Sequence, residues 1–140
     1  MSTDVNKPHL ESAAGELFAA EQARLPVVPI TQTYTSLTND DAHWIQSRNI
    51  ARKLEMGEKL VGYKLGLTSR EAQKQFKVFQ PDYGQLTSGM NVWEDGEIPV
   101  DQLIQPKIEG EIALVLKKDL SGPVSPWSMR FARWILPWHR

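Results

Sequence analysis

KLVGYKLGLTS, residues 59–69, is the stretch at which the chain changes character. As a strand it would set Leu60, Gly62, Lys64 and Gly66 on one face and Val61, Tyr63, Leu65 and Leu67 on the other. The residues before it read as helix. From Leu10 to Arg24 most residues are good helix formers, and Leu10, Ala13, Ala14, Leu17 and Phe18 fall at i, i+3, i+4 spacing. Pro26 and Pro29 stop that helix and extend the chain. A second helix is predicted from about Asp40 to Gly57, with Thr38 or Asn39 to cap it, two aspartates in its first turn and Gly57 to close it. The residues after it read mostly as strand and turn. Thr68 with Glu71 fits a capping box for a short helix, SREAQKQF. Gln80-Pro81-Asp82-Tyr83-Gly84 reads as a turn, and a β-rich portion comes after it. There Glu94-Asp95-Gly96 is a hairpin candidate, and a strand is predicted from Ile108 to Lys117. Helices first and strands later imply an α+β fold rather than alternating βαβ units.

The chain's 140 residues suit one domain with a core and fall short of two. Sixteen basic and seventeen acidic residues leave a formal charge of -1, which points to neither a nucleic-acid nor an anionic-membrane partner. There is no cysteine, so disulfides, thiolate metal sites and cysteine nucleophiles are excluded together. The opening MSTDVNKPHLES lacks the pattern of a secretory signal, and no apolar run approaches the ~20 residues of a membrane span. A cytoplasmic location is the default expectation. His9, His43 and His139 are scattered without zinc-site spacing and read as incidental.

Within the last predicted strand, PKIEGEIALVL at 106–116, alternation sends Ile108, Ile112, Leu114 and Leu116 one way. Glu109, Glu111, Ala113 and Val115 go the other way, with the two carboxylates roughly 7 Å apart along the strand. Two like charges beside apolar neighbours repel, and a hard divalent cation between them reverses that interaction. An E-x-E pair on a strand is nonetheless more often a solvated face. Spacing leaves both readings open.

GYKLGLTS at 62–69, QPDYG at 80–84 and LIQPKIEGEIALVLKKDLSGP at 103–123 resemble, in order and spacing, the 2-keto-4-pentenoate hydratase group of the fumarylacetoacetate hydrolase superfamily. The group includes 2-oxohept-3-enedioate hydratases and 4-oxalocrotonate decarboxylases of aromatic meta-cleavage catabolism. The resemblance runs from about residue 10 to Pro123. It implies that Glu109 and Glu111 bind Mg²⁺ or Mn²⁺, with a third carboxylate from further along the family's chain. It also implies acid–base or substrate-orienting roles for Lys64 and Asp82. Without it, a strand lysine is most often solvated, and an aspartate in a P-D-x-G turn commonly bonds its own backbone. The implied substrate is a small 2-oxo acid, the implied fold a mixed β-roll that this chain begins and leaves incomplete, and the implied full-length assembly a homo-oligomer. Hydratase is favoured over decarboxylase on the look of QPDYG and IEGEIALVLKKDL.

The resemblance stops after Pro123. Residues 1–123 thus read as the N-terminal portion of one hydratase-like domain, and 124–140 as a tail foreign to the family. Its last sixteen residues, SPWSMRFARWILPWHR, hold Trp127, Trp134 and Trp138 and no acidic residue. A shifted reading frame would account for such a tail, and a chain so altered is expected to be inactive.

Overall fold

The computed structural model describes residues 8–116. The chain divides into two compact units, Met1–Pro106 and Lys107–Arg140. The expected boundary at residue 123 and the tail beyond it lie outside the described residues.

The first unit opens with helix α1, Pro8–Ala23, which starts on a proline whose missing N–H costs the first turn nothing. Leu10, Ala13 and Ala14 are buried on it and Leu17 is partly buried, so the apolar stripe of the sequence is the packed face. Those residues meet Ile45 of α3 (Asn39–Glu55), with Ile30, Tyr34, Leu37 and Trp44 around the rim. Full burial of a side chain such as Leu10 stabilises by about 1.5–3 kcal/mol. Ion pairs tie the same two helices together. Arg48 and Arg52 reach Glu11 at 2.8 and 3.2 Å, and the buried Lys53 pairs with Glu21.

Helix α3 ends where its local signals say. Thr38 is the N-cap and forms a capping box with Asp41: the Thr38 hydroxyl accepts from Asp41 N–H at 3.2 Å, and the Asp41 carboxylate accepts from Thr38 N–H at 3.0 Å. At the other end Gly57 takes φ +97°, Glu58 N–H bonds the Lys53 carbonyl, and Gly57 N–H bonds that of Leu54. This paired closure needs a left-handed residue, which glycine supplies without strain. Between the long helices lies a four-residue helix, α2 (Ile30–Thr33), where the sequence predicts extended chain. It comes directly after Pro29, whose fixed φ suits a helix entrance. Tyr34 anchors this region to α1 by donating its hydroxyl to Glu16 at 2.6 Å. That hydrogen bond, with some burial, raises the tyrosine pKa above its ordinary value.

Strand β1 (Leu60–Gly66) pairs antiparallel with β2 (Asp82–Thr87), with a register irregularity between Leu60 and Gly62. A short helix α4, Arg70–Gln75, lies between them, capped by Ser69 rather than the predicted Thr68; the Ser69 hydroxyl accepts from Ala72 N–H at 3.1 Å. Leu67, at φ +55°, turns the chain out of β1 and so moves the cap one residue on. The turn predicted over 80–84 is half right. Gln80 bends, but Asp82, Tyr83 and Gly84 already belong to β2, because β1 offers them a hydrogen-bonded neighbour.

Two further expectations fail. Residues 88–106 contain two 3₁₀ turns, Ser88–Met90 and Val100–Gln102, in place of a β-rich segment. A turn does form at Glu94-Asp95-Gly96, closed by Gly96 N–H on the Trp93 carbonyl at 2.8 Å, but no strands flank it. In the second unit residues 108–116 are exposed and form no strand. Alternation makes a segment able to be a strand, whereas a strand exists only with a neighbour to take its N–H and C=O groups. Among the described residues the one sheet is β1–β2. The first unit is therefore α+β, a helical layer beside a small antiparallel sheet.

Candidate functional site

The β1–β2 register brings together two of the residues singled out by sequence. Gly66 faces Asp82 and Lys64 faces Gly84 across the ladder, so Lys64 and Asp82 are diagonal neighbours on one face. Long side chains interact across such a diagonal. Both residues are exposed, and the positions directly opposite them are glycines, which leave the space above the sheet open.

Helix α3 braces this sheet along the edge of β2. The amide of Gln46 donates to the Tyr83 carbonyl at 3.4 Å and accepts from Gln85 N–H at 3.1 Å, occupying two edge groups of the strand. His43, one turn earlier, stacks on the Tyr83 ring with centroids 4.9 Å apart and planes 16° from parallel. Tyr63 meets Tyr83 edge-on at 6.2 Å. His43 Nε2 then lies 3.5 Å from Asp82 Oδ1, and the same oxygen accepts from Tyr83 N–H at 2.8 Å. A cleft of about 170 Å³ opens here, lined by Asn39, Ala42, His43 and Gln46 of α3, by Leu67, by Val78, Gln80 and Pro81, and by Asp82 at the start of β2. The sequence alone passes over His43, which has no metal-site spacing. The signal that locates it is helical: residues 39, 42, 43 and 46 recur on one face of α3, the face turned to this cleft.

Glu109 and Glu111 lie in the second unit, both exposed. The structure thus groups Lys64 with Asp82 in one body and leaves the E-x-E pair in another. Among the described residues no three His, Asp or Glu side chains gather into a metal-binding cluster. The donor chemistry of the pair still fits a hard divalent cation. Carboxylate oxygens are what Mg²⁺ and Mn²⁺ favour, and Mg²⁺ commonly takes only one or two carboxylates and completes its shell with water or substrate.

No family model matches the chain. Individual relatives do. The chain is 41% identical over 121 residues to the 2-hydroxypent-2,4-dienoate hydratase of Pseudomonas putida, a span that covers 85% of this chain and 54% of the relative. It is 42% identical over 110 residues to the 2-keto-4-pentenoate hydratase of Paraburkholderia xenovorans, covering 79% and 41% of the two chains. Over that span the chain is similar to hydratases of this kind. The 2-oxo-hept-4-ene-1,7-dioate hydratase of Escherichia coli is similar at 38% identity over 110 residues, again 79% of this chain and 41% of the relative. The chain spans about half the length of these hydratase relatives. No described helix is long and apolar enough to cross a membrane.

Proposed function

We propose that the chain carries the first part of a metal-dependent hydratase that adds water to a 2-hydroxy-2,4-dienoate, or its 2-oxo-4-enoate tautomer, and yields a 4-hydroxy-2-oxo acid. The observation that carries the reading is the roughly 40% identity to relatives named for this reaction. The joint placement of Lys64 and Asp82 on one sheet face supports it.

In this reading Glu109 and Glu111 hold Mg²⁺ or Mn²⁺, whose chemistry there is Lewis-acid polarisation of a bound 2-oxo acid. The chain's own residues do the rest. Lys64 presents a cation beside the substrate's negative charge as the enolate develops. Lys64 or Asp82 shuttles the protons, moving one from the 2-hydroxyl onto C5 to leave a conjugated 2-oxo-3-enoate, and then assisting addition of water with its oxygen at C4 and a proton at C3. Every group returns to its starting protonation state after one turnover. The full protein would adopt the fumarylacetoacetate-hydrolase-type β-roll, assemble as a homo-oligomer and act in the cytoplasm on aromatic meta-cleavage products.

Alone, this half-length chain is expected to turn over only slowly, since the family's third carboxylate has no counterpart placed among the described residues. Incubation with 2-hydroxypenta-2,4-dienoate and Mg²⁺, with NMR detection of 4-hydroxy-2-oxopentanoate, tests the reading. Slow, chelator-sensitive product formation that Lys64→Met abolishes is the expected result. Release of CO₂ from 4-oxalocrotonate with no hydration would assign the chain to the decarboxylases instead. The half-length coverage favours one further reading, a non-catalytic fragment or subunit, which predicts neither activity.

A further inference from the structure

We propose that His43 is a positioning residue for Asp82, forming with it a dyad at the mouth of the cleft between α3 and the start of β2. The inference rests on the hydratase reading, in which Asp82 handles protons. Two contacts converge on one carboxylate oxygen, and a third holds the histidine that makes one of them. Tyr83 N–H donates to Asp82 Oδ1 at 2.8 Å, His43 Nε2 lies 3.5 Å from that same oxygen, and the imidazole is held flat against the Tyr83 ring. Neither contact uses Oδ2. The oxygen left to exchange a proton with substrate is thereby selected, and the ring behind it is fixed by stacking and by the helix that carries it.

A separation of 3.5 Å is longer than the ~2.8 Å of a charge-assisted hydrogen bond, and catalytic hydrogen bonds commonly tighten only when substrate arrives. The surroundings suit that step. Leu67, Val78, Ala42 and Pro81 give the cleft apolar walls, and Gln46 pins the strand on which Asp82 and Tyr83 sit. A histidine that was merely a surface residue would have no need of a parallel stack on the residue next to the carboxylate. With Nε2–H pointed at Oδ1, His43 donates throughout and never gives up its proton. A proton that Oδ2 takes from substrate is returned from Oδ2, and the dyad ends each cycle unchanged.

The test separates this role from the function it serves. Long-range ¹H–¹⁵N spectra of the full chain report which imidazole nitrogen carries the proton. The Nε2–H form is expected in the unmodified protein and its preference is lost in Asp82→Ala. In parallel, exchange of the C3 hydrogens of saturating 2-oxopentanoate into D₂O, with Mg²⁺ present, reports enolisation without requiring water addition. His43→Phe keeps the stack and removes the N–H; its exchange should fall at least about tenfold, within the ~100-fold that misplacing a catalytic group can cost. His43→Gln keeps an N–H at the Nε2 position and should recover most of the rate. Wild-type exchange that His43→Phe leaves unaltered, or an Nδ1–H form of His43, overturns the dyad alone. Absence of exchange in the unmodified chain, with the Nε2–H form present, overturns the hydratase reading and the role built on it.

Discussion

The helical layer and the sheet of the first unit solve the same problem to different degrees. Helices α1 and α3 bury Leu10, Ala13, Ala14 and Ile45 between them and pair their charges, and α3 is capped at both ends. A helix takes its backbone hydrogen bonds from itself, so two of them with matching apolar stripes make a finished layer. The sheet has two strands, and Val61, Tyr63, Leu65 and Tyr83 on it all remain about half exposed. The edge of β2 is covered by Gln46, whereas β1 has no second strand beside it among the described residues. A two-stranded sheet is marginal in water without a layer against it. Stability in this unit should therefore reside in the helices, and the site residues Lys64 and Asp82 ride on the less secured element.

The largest expected contrast is between two leucines. Leu10→Ala opens a cavity in the helical core and should lower the unfolding free energy by about 2–5 kcal/mol in urea titrations. Leu65→Ala, on the exposed sheet, should change it by less than about 1 kcal/mol. Equal losses would break the comparison. Glu21→Ala leaves Lys53 buried without that partner. Removing one member of a fully buried pair costs roughly 3–5 kcal/mol; the half-exposed Glu21 brings the expectation down to about 1–3 kcal/mol, read from the same titrations.

How much of this is legible in the sequence depends on where the determining forces lie. The ends of α3 are readable because Thr38, Asp41 and Gly57 act on their own neighbours in the chain. Strand β1 is readable from alternation, while β2 hides behind Pro81 and Gly84, turn residues that here flank and enter a strand. The segment from Ile108 alternates like a strand and is not one, because pairing is a property of two segments and alternation of one. The site divides in the same way. Motifs single out Lys64 and Asp82, and the ladder sets them on one face. His43 reaches Asp82 from a helix 39 residues upstream of it in sequence, a proximity that no local pattern contains.

Two smaller effects sharpen the contrast. Thr38→Ala removes the α3 cap and should cost about 1 kcal/mol, seen as a lower urea midpoint with unchanged slope. Glu58 joins the end of α3 to the residues after β2. The Thr87 side chain, with a lesser contribution from Gly89 N–H, holds its carboxyl below the usual range against an opposing effect of burial. A carboxyl lowered in the folded state stabilises above its unfolded pKa, and that contribution disappears as pH falls through the folded value. Glu58→Gln should therefore be slightly less stable than the unmodified chain near neutrality, with the difference closing in acid. A difference that widened in acid would have the wrong sign.

Binding of Mn²⁺ to the full chain, measured by calorimetry with and without Glu109→Gln and Glu111→Gln together, tests the hydratase account most directly. The account predicts weak binding, tightened by 2-oxopentanoate and abolished by the double substitution. Binding that survives the substitution, or that ignores the 2-oxo acid, would contradict it.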